Sequence, residues 1–169
     1  MPVKEHRKEA TNIEVNLGLI ITSDSILKGL KEDEITPLVD RVCGEYGVTL
    51  KNRVLVSNSE DEIKKAFNHV INTCNVVIVT GGTGLSPRDV TVEALKSYCS
   101  KDVPGFGELF RYLTFLKHGS AAIASRSFAC VSGNALVFAL PGSPDAVELA
   151  LRELIMPEVR HLLYELKKT

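Results

Sequence analysis

The segment of the sequence with the clearest chemical potential is residues 81–89, which directly follows an apolar run at residues 76–79. It opens with a four-residue string that contains three glycines: Gly81, Gly82, Thr83 and Gly84. Glycines let the backbone approach a ligand closely, and the N-terminus of a following helix adds a positive dipole end. The segment therefore predicts an anion site, best suited to phosphate. It is not a Walker loop, because no Gly-Lys-Ser/Thr follows, and it is not a dinucleotide fingerprint, because the spacing of its glycines does not fit.

Two charged residues, Arg88 and Asp89, end this segment. Asp89 has two interpretations that its position leaves equally open: it caps the next helix, or it contacts a metal or the substrate. A carboxylate beside a phosphate site repels the phosphate unless a cation lies between them, so an Mg²⁺ ion would reconcile the two features. Arg88 is either a surface charge or a phosphate ligand.

The hydrophobic pattern predicts the scaffold that must position these residues. Apolar strand-like runs at residues 17–22, 48–56 and 76–79 alternate with segments of helical periodicity. This alternation is typical of a three-layer α/β domain with a mainly parallel sheet. Two further runs, at residues 128–131 and 135–140, are separated by turn-forming residues and predict an antiparallel hairpin at one edge.

Signals for helix starts and stops follow the predicted strands. Thr36 and Ser143 each precede a proline, which is the order expected of a capping residue and the first helical position. Ser59 is predicted to cap a helix with a clean apolar stripe. Pro157 is predicted to interrupt the last helix.

The arrangement of strands and loops predicts where the site lies. Ligands of open parallel sheets bind beyond the carboxyl ends of the strands, where loops lead into helices. Three loops have this position, at residues 23–33, 81–89 and 141–145. We expect them to meet at one edge of the sheet.

Composition restricts the class of protein. The chain has 169 residues, of which 44% are hydrophobic, and a net charge of −1. These values predict one globular domain over residues 13–169, preceded by a flexible, polar N-terminal arm over residues 1–12. Near-zero charge argues against a nucleic-acid partner. The chain has no run of apolar residues long enough to span a membrane and no signal-peptide pattern, so we expect a cytoplasmic protein without a membrane partner.

Cysteines and histidines give no sign of a metal site at the level of sequence. The four cysteines are 31, 25 and 31 residues apart, so we interpret them as free, mostly buried side chains: Cys43, Cys74, Cys99 and Cys130. The four histidines are isolated from one another and from cysteines: His6, His69, His118 and His161.

Four motifs taken together are far more specific than the glycine string alone. They are TGGTGLSPRDVT at residues 80–91, PGFGE at 104–108, SR at 125–126 and LPGSP at 140–144. Together they resemble the molybdenum cofactor biosynthesis family that includes MoaB, MogA and the gephyrin G domain. The resemblance covers about residues 17–166, and residues 103–116 are most similar to the MoaB branch.

The resemblance implies a fold, an activity and an assembly. It implies the three-layer α/β fold of a molybdopterin-binding domain, a homotrimer or homohexamer, and a downstream partner that inserts the metal. Active members use Mg-ATP to convert molybdopterin into adenylyl-molybdopterin, so the resemblance implies a nucleotidyltransferase that needs Mg²⁺. Asp89 matches the catalytic carboxylate that acts through Mg²⁺. The residues that match substrate-binding segments are Ser23, Asp24, Gly81, Gly82, Thr83, Gly84, Ser125, Arg126, Pro141, Gly142 and Ser143.

Two departures from the family pattern keep an alternative open. Ser57 and Asn58 stand where many catalytic members have a Pro-Asp pair, and Ile35 and Thr36 stand where Ser-Gly is usual. The alternative is a non-catalytic molybdopterin-binding or scaffold protein of the same pathway. Hydrolysis of a nucleotide-related phosphate is a third reading, but the sequence has no paired carboxylates or histidine cluster to support it.

Overall fold

The fold is built on one six-stranded sheet. The computed structural model describes residues 3–168. Its strands are β1 (Asn16–Thr22), β2 (Thr49–Val56), β3 (Val76–Thr80), β4 (Lys101–Asp102), β5 (Phe128–Ser132) and β6 (Ala135–Leu140). They lie in the order β2-β1-β3-β6-β5-β4. The first four strands in this order pair in parallel, and β5 is antiparallel to both β6 and β4.

Eight α-helices surround the sheet in the described part of the chain. They are α1 (Val3–Glu9), α2 (Asp24–Leu27), α3 (Ile35–Glu45), α4 (Glu60–Val70), α5 (Thr91–Lys96), α6 (Pro104–His118), α7 (Pro144–Ala150) and α8 (Met156–Leu166). Short 3₁₀ segments follow α1 and α6 at Ala10–Asn12 and Gly119–Ala124. Within residues 3–168, no helix combines the length and apolar character needed to cross a bilayer.

Two apolar clusters, one on each face of the sheet, create the three layers. Alternate residues of β3 point to opposite faces: Val76 and Ile78 join one cluster, and Val77 and Val79 join the other. Helices α3, α6, α7 and α8 cover the first face, and α4 and α5 cover the second. All five residues of β3 are buried, as expected of a central parallel strand. The predicted three-layer fold and its antiparallel hairpin are confirmed.

Strand β4 is an element that the sequence analysis did not predict. It consists of two exposed residues, Lys101 and Asp102, that pair with β5, so β4 is one of the two outermost strands of the sheet. A charged two-residue strand has no apolar alternation, so its existence depends on the neighbouring strand rather than on local pattern.

Two helix boundaries differ from prediction. The N-cap of α3 is Glu34 rather than Thr36, and the carboxylate of the preceding Asp33 bonds the first turn: its Oδ1 accepts hydrogen bonds from the backbone N–H groups of Ile35 at 3.0 Å and Thr36 at 2.9 Å. Pro157 does not interrupt the final helix, because residues 144–166 are continuously helical. A π-helical segment, Leu151–Ile155, precedes Pro157 and shifts the hydrogen-bond ladder. This shift accommodates a residue that has no N–H to donate.

The N-terminal segment has more structure than its composition predicts. Residues 3–12 of the predicted N-terminal arm form α1 and a 3₁₀ turn, in which Ala10 is buried, and residues 1–2 lie outside the described part of the chain. Polar contacts join α1 to α8: Arg7 pairs with Glu158, and the Tyr164 hydroxyl donates to Glu9. An apolar pattern could not predict these contacts, because they join polar side chains.

The cysteines divide into two kinds. Cys43 and Cys74 are free and buried, as predicted. Burial raises the pKa of the Cys43 thiol to about 12. Cys99 and Cys130, which the sequence analysis interpreted as free, form a disulfide. Pairing of β4 with β5 brings these two distant residues together, and sequence spacing alone cannot show that.

Candidate active site

The three loops predicted to form a site do lie side by side at the edge of the sheet formed by the carboxyl ends of its parallel strands. The carboxyl ends of β1, β3 and β6 are adjacent, because Ile21 pairs with Thr80 and Thr80 pairs with Leu140. Loops 81–89 and 141–145 touch directly: a Cβ atom on Gly142 would lie only 3.3 Å from the Cα of Gly81. The topology therefore gathers these segments beside one another.

A cavity of about 380 Å³ opens at this edge. We call it the β1 cavity, because the end of β1 and the loop that follows form most of its wall. Its lining residues are Thr22, Ser23, Asp24, Ser25, Lys28, Leu30, Asn58, Gly82 and Arg88. The predicted site residues Ser23, Asp24 and Gly82 belong to this wall. Lys28 and Leu30 are cavity residues that the sequence analysis did not single out, although they lie in a loop that it selected.

The first two glycines of the loop are required by the packing of the loop itself. Gly81 and Gly82 have φ values of +94° and +68°, which other residues rarely adopt. A Cβ atom on Gly81 would also collide with the carbonyl oxygen of Thr22, and one on Gly82 with the hydroxyl of Thr91. Backbone conformation and close contact thus both select glycine here.

Hydrogen bonds hold the beginning of this loop through its carbonyl groups. The Thr91 hydroxyl donates to the Gly81 carbonyl at 2.7 Å, and the Thr91 N–H donates to the Gly82 carbonyl at 3.1 Å. The Gly81 N–H donates to the carbonyl of Leu140 at 2.9 Å. The first residue of helix α5, Thr91, is therefore hydrogen-bonded to the carbonyl groups of the loop.

Arg126 holds the remainder of the loop. Its backbone N–H donates to the Thr83 carbonyl at 3.0 Å, its Nε to the Gly84 carbonyl at 2.8 Å, and its Nη2 to the Asp89 carbonyl at 3.0 Å. The guanidinium also pairs with Glu93, and this contact lowers the pKa of that carboxyl. Arg126 was predicted to bind substrate, and the structure places it against the loop backbone rather than in the wall of the β1 cavity.

Within this loop the backbone carbonyls are hydrogen-bonded, but three successive backbone N–H groups are not. Every carbonyl from Gly81 to Gly84 accepts a hydrogen bond, whereas the N–H groups of Gly82, Thr83 and Gly84 donate to no other described residue. Unpaired backbone donors at successive positions form a natural anion site, because an anion supplies the acceptors that they lack.

Asp89 does not cap helix α5. The N-cap position belongs to Val90, and no side chain there accepts a hydrogen bond. Instead, Asp89 Oδ2 accepts from the Ser86 N–H at 3.0 Å, and the Asp89 N–H donates to the Ser86 carbonyl at 2.9 Å. The capping interpretation is therefore wrong. The carboxylate is partly buried on the glycine loop and is outside the lining of the β1 cavity.

Asp24 is the acidic residue that lines the β1 cavity. Its Oδ1 accepts from the Asn58 N–H at 3.1 Å, and its Oδ2 pairs with Arg88 Nη2 at 2.7 Å. These two contacts lower the pKa of Asp24, so the carboxylate stays ionised. Arg88 therefore belongs to the cavity wall, and 71% of its side-chain surface is exposed. Asn58 turns its side-chain oxygen toward the Thr22 hydroxyl, 2.5 Å away.

Three more predicted residues line a second, smaller cavity of about 190 Å³. We call it the β6 cavity; Ser125, Pro141 and Ser143 line it together with Phe110 and other residues of α6 and α7. Ser143 also caps α7 as predicted, since its hydroxyl accepts from the Ala146 N–H at 3.2 Å. The predicted residues that line a cavity are therefore divided between two cavities, and the others form the glycine loop and its immediate contacts.

Comparisons with known proteins agree with this architecture. The family described as "Probable molybdopterin binding domain" matches residues 18–161. The chain is 36% identical over 171 residues to molybdenum cofactor biosynthesis protein B of Bacillus anthracis, with 99% of both chains covered. It is 52% identical over 124 residues to the protein of the same name from Staphylococcus aureus, which covers 73% of this chain and 70% of that relative.

Solved structures give the same result. The tungsten cofactor synthesizing protein MoaB of Pyrococcus furiosus superposes with a TM-score of 0.83 at 32% identity, covering 92% of this chain and 98% of that one. The resemblance that the motifs indicate is thus confirmed by sequence and by structure. The chain belongs to the molybdopterin binding domain family and is a MoaB-like member of it.

Proposed function

We propose that this protein acts in molybdenum cofactor biosynthesis by transferring the adenylyl group of Mg-ATP to molybdopterin. The observation that carries the proposal is the glycine loop, with its carbonyls bonded and three successive N–H donors free at the edge of a cavity. Both substrates end in phosphate groups, and phosphate oxygens are the acceptors that such a loop lacks. The names of the relatives support the pathway, and the loop supports the chemistry.

The reaction needs positioning more than a strong base. An oxygen of the molybdopterin phosphate attacks the α-phosphorus of ATP, the bond from that phosphorus to the bridging oxygen breaks, and pyrophosphate leaves with the electron pair. The protein has to hold two anions in line and stabilise the charge on the phosphorus that is attacked. Gly82, Thr83 and Gly84 would supply fixed amide donors for this purpose, and Arg88 would add a positive charge.

The acidic residues at this edge fit a magnesium ion. Mg²⁺ prefers carboxylate oxygens and substrate phosphates as ligands. Asp24, in the cavity wall, and Asp89, on the glycine loop, are the carboxylates available to hold it. When bound, the ion neutralises phosphate charge that these carboxylates would otherwise repel.

The test is a turnover assay with purified protein, Mg-ATP and molybdopterin. We expect equal amounts of pyrophosphate and adenylyl-molybdopterin, and we expect Asp89→Ala and Asp24→Ala to reduce both by at least about 100-fold, as loss of transition-state charge stabilisation does. Asp61→Ala, at an exposed position in α4, is the matched control. Absence of product, or equal turnover by Asp89→Ala, would reject the proposal.

The alternative, a non-catalytic binding or scaffold protein, is favoured by one observation. Asn58 lines the β1 cavity where many catalytic relatives have an acidic residue, and an amide cannot neutralise a cation. Saturable binding of molybdopterin to the wild-type protein without any adenylyl transfer would select this alternative.

We further propose that the chain assembles as a homotrimer or homohexamer through helix α6. Leu109, Tyr112, Phe115 and Leu116 project from this helix with more than half of their surface exposed. Exposed apolar side chains concentrated on one element are typical of subunit contacts. Light scattering should give three or six copies for the wild type and a smaller assembly for Leu116→Glu. A monomeric wild-type protein would reject this assembly.

A further inference from the structure

A group of side chains that could hold a metal ion lies outside the two cavities described above. His6 of α1 and His161 and Glu165 of α8 each offer one ligand atom, and these atoms lie within 4.8 Å of one another. The two histidines are isolated in the sequence, and the packing of α1 on α8 brings them together. Ligand atoms of a tetrahedral zinc site are about 3.4 Å apart, so small side-chain rotations would let all three bind one ion.

The surroundings of His161 favour a metal ligand. Its Nδ1 lies 2.9 Å from Glu158 Oε2, and its Nε2 lies 3.5 Å from Glu165 Oε1. A hydrogen bond from Nδ1–H to Glu158 leaves the lone pair on Nε2, toward Glu165. Arg7 pairs with the other oxygen of Glu158 and fixes that carboxylate in turn. A carboxylate bonded to the far nitrogen of a ligand histidine is the usual support of zinc ligands.

The centre of the group already attracts a positive charge. The ammonium of Lys168 lies 2.7 Å from Glu165 Oε1 and 3.1 Å from His6 Nδ1. His6 Nδ1 itself lies 2.9 Å from Glu165 Oε1, so the ammonium, the imidazole and the carboxylate meet at one point. In the tautomer with the proton on Nε2, the Nδ1 lone pair faces the position of the ammonium, where a metal ion would bind. The Lys168 side chain is 39% exposed, so it can leave for solvent when another cation replaces it.

We propose that His6, His161 and Glu165 bind a Zn²⁺ ion that joins α1 to α8. Two imidazoles and one carboxylate are a common zinc donor set, and water would complete the tetrahedron. Imidazole ligands favour zinc over Mg²⁺, which prefers oxygen donors, so this site is chemically distinct from the proposed nucleotide site.

Calorimetric titration of the untagged protein with zinc chloride alone tests the site. We expect one-to-one binding, and we expect His6→Ala and His161→Ala to weaken it at least about 100-fold, whereas Glu158→Gln weakens it about 10- to 100-fold. Lys168→Ala should strengthen it, because the competing ammonium is removed. The matched control is His69→Ala, at an exposed position in α4, which should leave the affinity unchanged.

Limited trypsin digestion supplies an independent readout. Zinc should slow cleavage after Arg7 and Lys8 in the wild-type protein, and it should have no effect in His161→Ala. The proposal is overturned if zinc does not bind, if either histidine variant binds as tightly as the wild type, or if His69→Ala loses as much affinity as they do. None of these measurements depends on adenylyl transfer.

Discussion

The two walls of the β1 cavity are built in different ways. Thr91 and Arg126 fix the glycine loop by donating hydrogen bonds to successive carbonyls of its backbone. The opposite wall, residues 23–33, is bonded at its two ends, where Ser23 caps α2 and Asp33 accepts from the start of α3, but residues 27–32 between them are exposed, and Leu30 is 78% exposed. The first wall is therefore preorganised for a fixed anion, and the exposed middle of the second is free to adjust to the rest of a ligand.

The strongest test of this difference is Arg126→Ala. Loss of the guanidinium removes the donors that hold the carbonyls of Gly84 and Asp89 and leaves Glu93 without its partner. We expect about 1–3 kcal/mol lower free energy of unfolding, because charged hydrogen bonds are lost. We also expect at least about 100-fold slower adenylyl transfer, because the loop donors lose their fixed positions. Denaturant titration and the turnover assay measure the two effects.

Arg126→Lys keeps the positive charge but changes the geometry of the donors. A lysine can pair with Glu93 but cannot serve several acceptors in one plane. Both its stability and its turnover should lie between those of the wild type and Arg126→Ala. Wild-type turnover in both variants would show that the loop does not need this residue.

A matched pair of glycine substitutions compares the two walls directly. Gly82 and Gly29 have nearly equal φ values, +68° and +69°, so alanine strains the backbone equally at both, by about 1–2 kcal/mol. At Gly82 the new Cβ would also collide with Thr91, whereas at Gly29 nothing lies within 4 Å. We expect Gly82→Ala to lose more stability and most nucleotide affinity, and Gly29→Ala to lose only the strain energy. Equal losses in thermal unfolding and nucleotide titration would contradict the comparison.

We expect an effect of intermediate size when an acidic residue replaces Asn58. Asn58→Asp places a second carboxylate beside Asp24 in the cavity wall. If Mg²⁺ binds there, the added charge should increase magnesium affinity by about tenfold, corresponding to roughly 1.4 kcal/mol. Titration of nucleotide binding against magnesium concentration measures this, with Asn68→Asp, at an exposed position in α4, as the control. Weaker magnesium dependence in Asn58→Asp would place the ion elsewhere.

The smallest effect is expected at the exposed end of the adjustable wall. Leu30→Ala should change the free energy of unfolding by about 0.5 kcal/mol or less, because its side chain is mostly in solvent. A modest change in nucleotide affinity, without a change in the rate of transfer, would agree with a wall that only adapts to the ligand. A large fall in the transfer rate would show that both walls are equally fixed.

The sequence predicts the parts of this molecule that depend on short-range pattern. Buried strands such as β3 are continuous apolar runs, and the loops after them follow from the rule for parallel sheets, so the edge that holds the site could be located. Asp89 could not be assigned between capping and contact with a metal or the substrate, because a carboxylate at the start of a helix serves either role. The disulfide, strand β4 and the bonds of Arg126 to the glycine loop join residues distant in the chain. Local pattern has no information about such pairs.

The central claim is that the free amides of Gly82, Thr83 and Gly84 bind phosphate. Amide NMR spectra of ¹⁵N-labelled protein, recorded with magnesium and a nonhydrolysable ATP analogue, test it most directly. We expect saturable changes in the amide chemical shifts of these three residues, with little change at Gly133 in the β5–β6 turn at the opposite edge of the sheet. Saturation of the protein with unchanged loop signals, or with the largest shifts at the opposite edge, would contradict it.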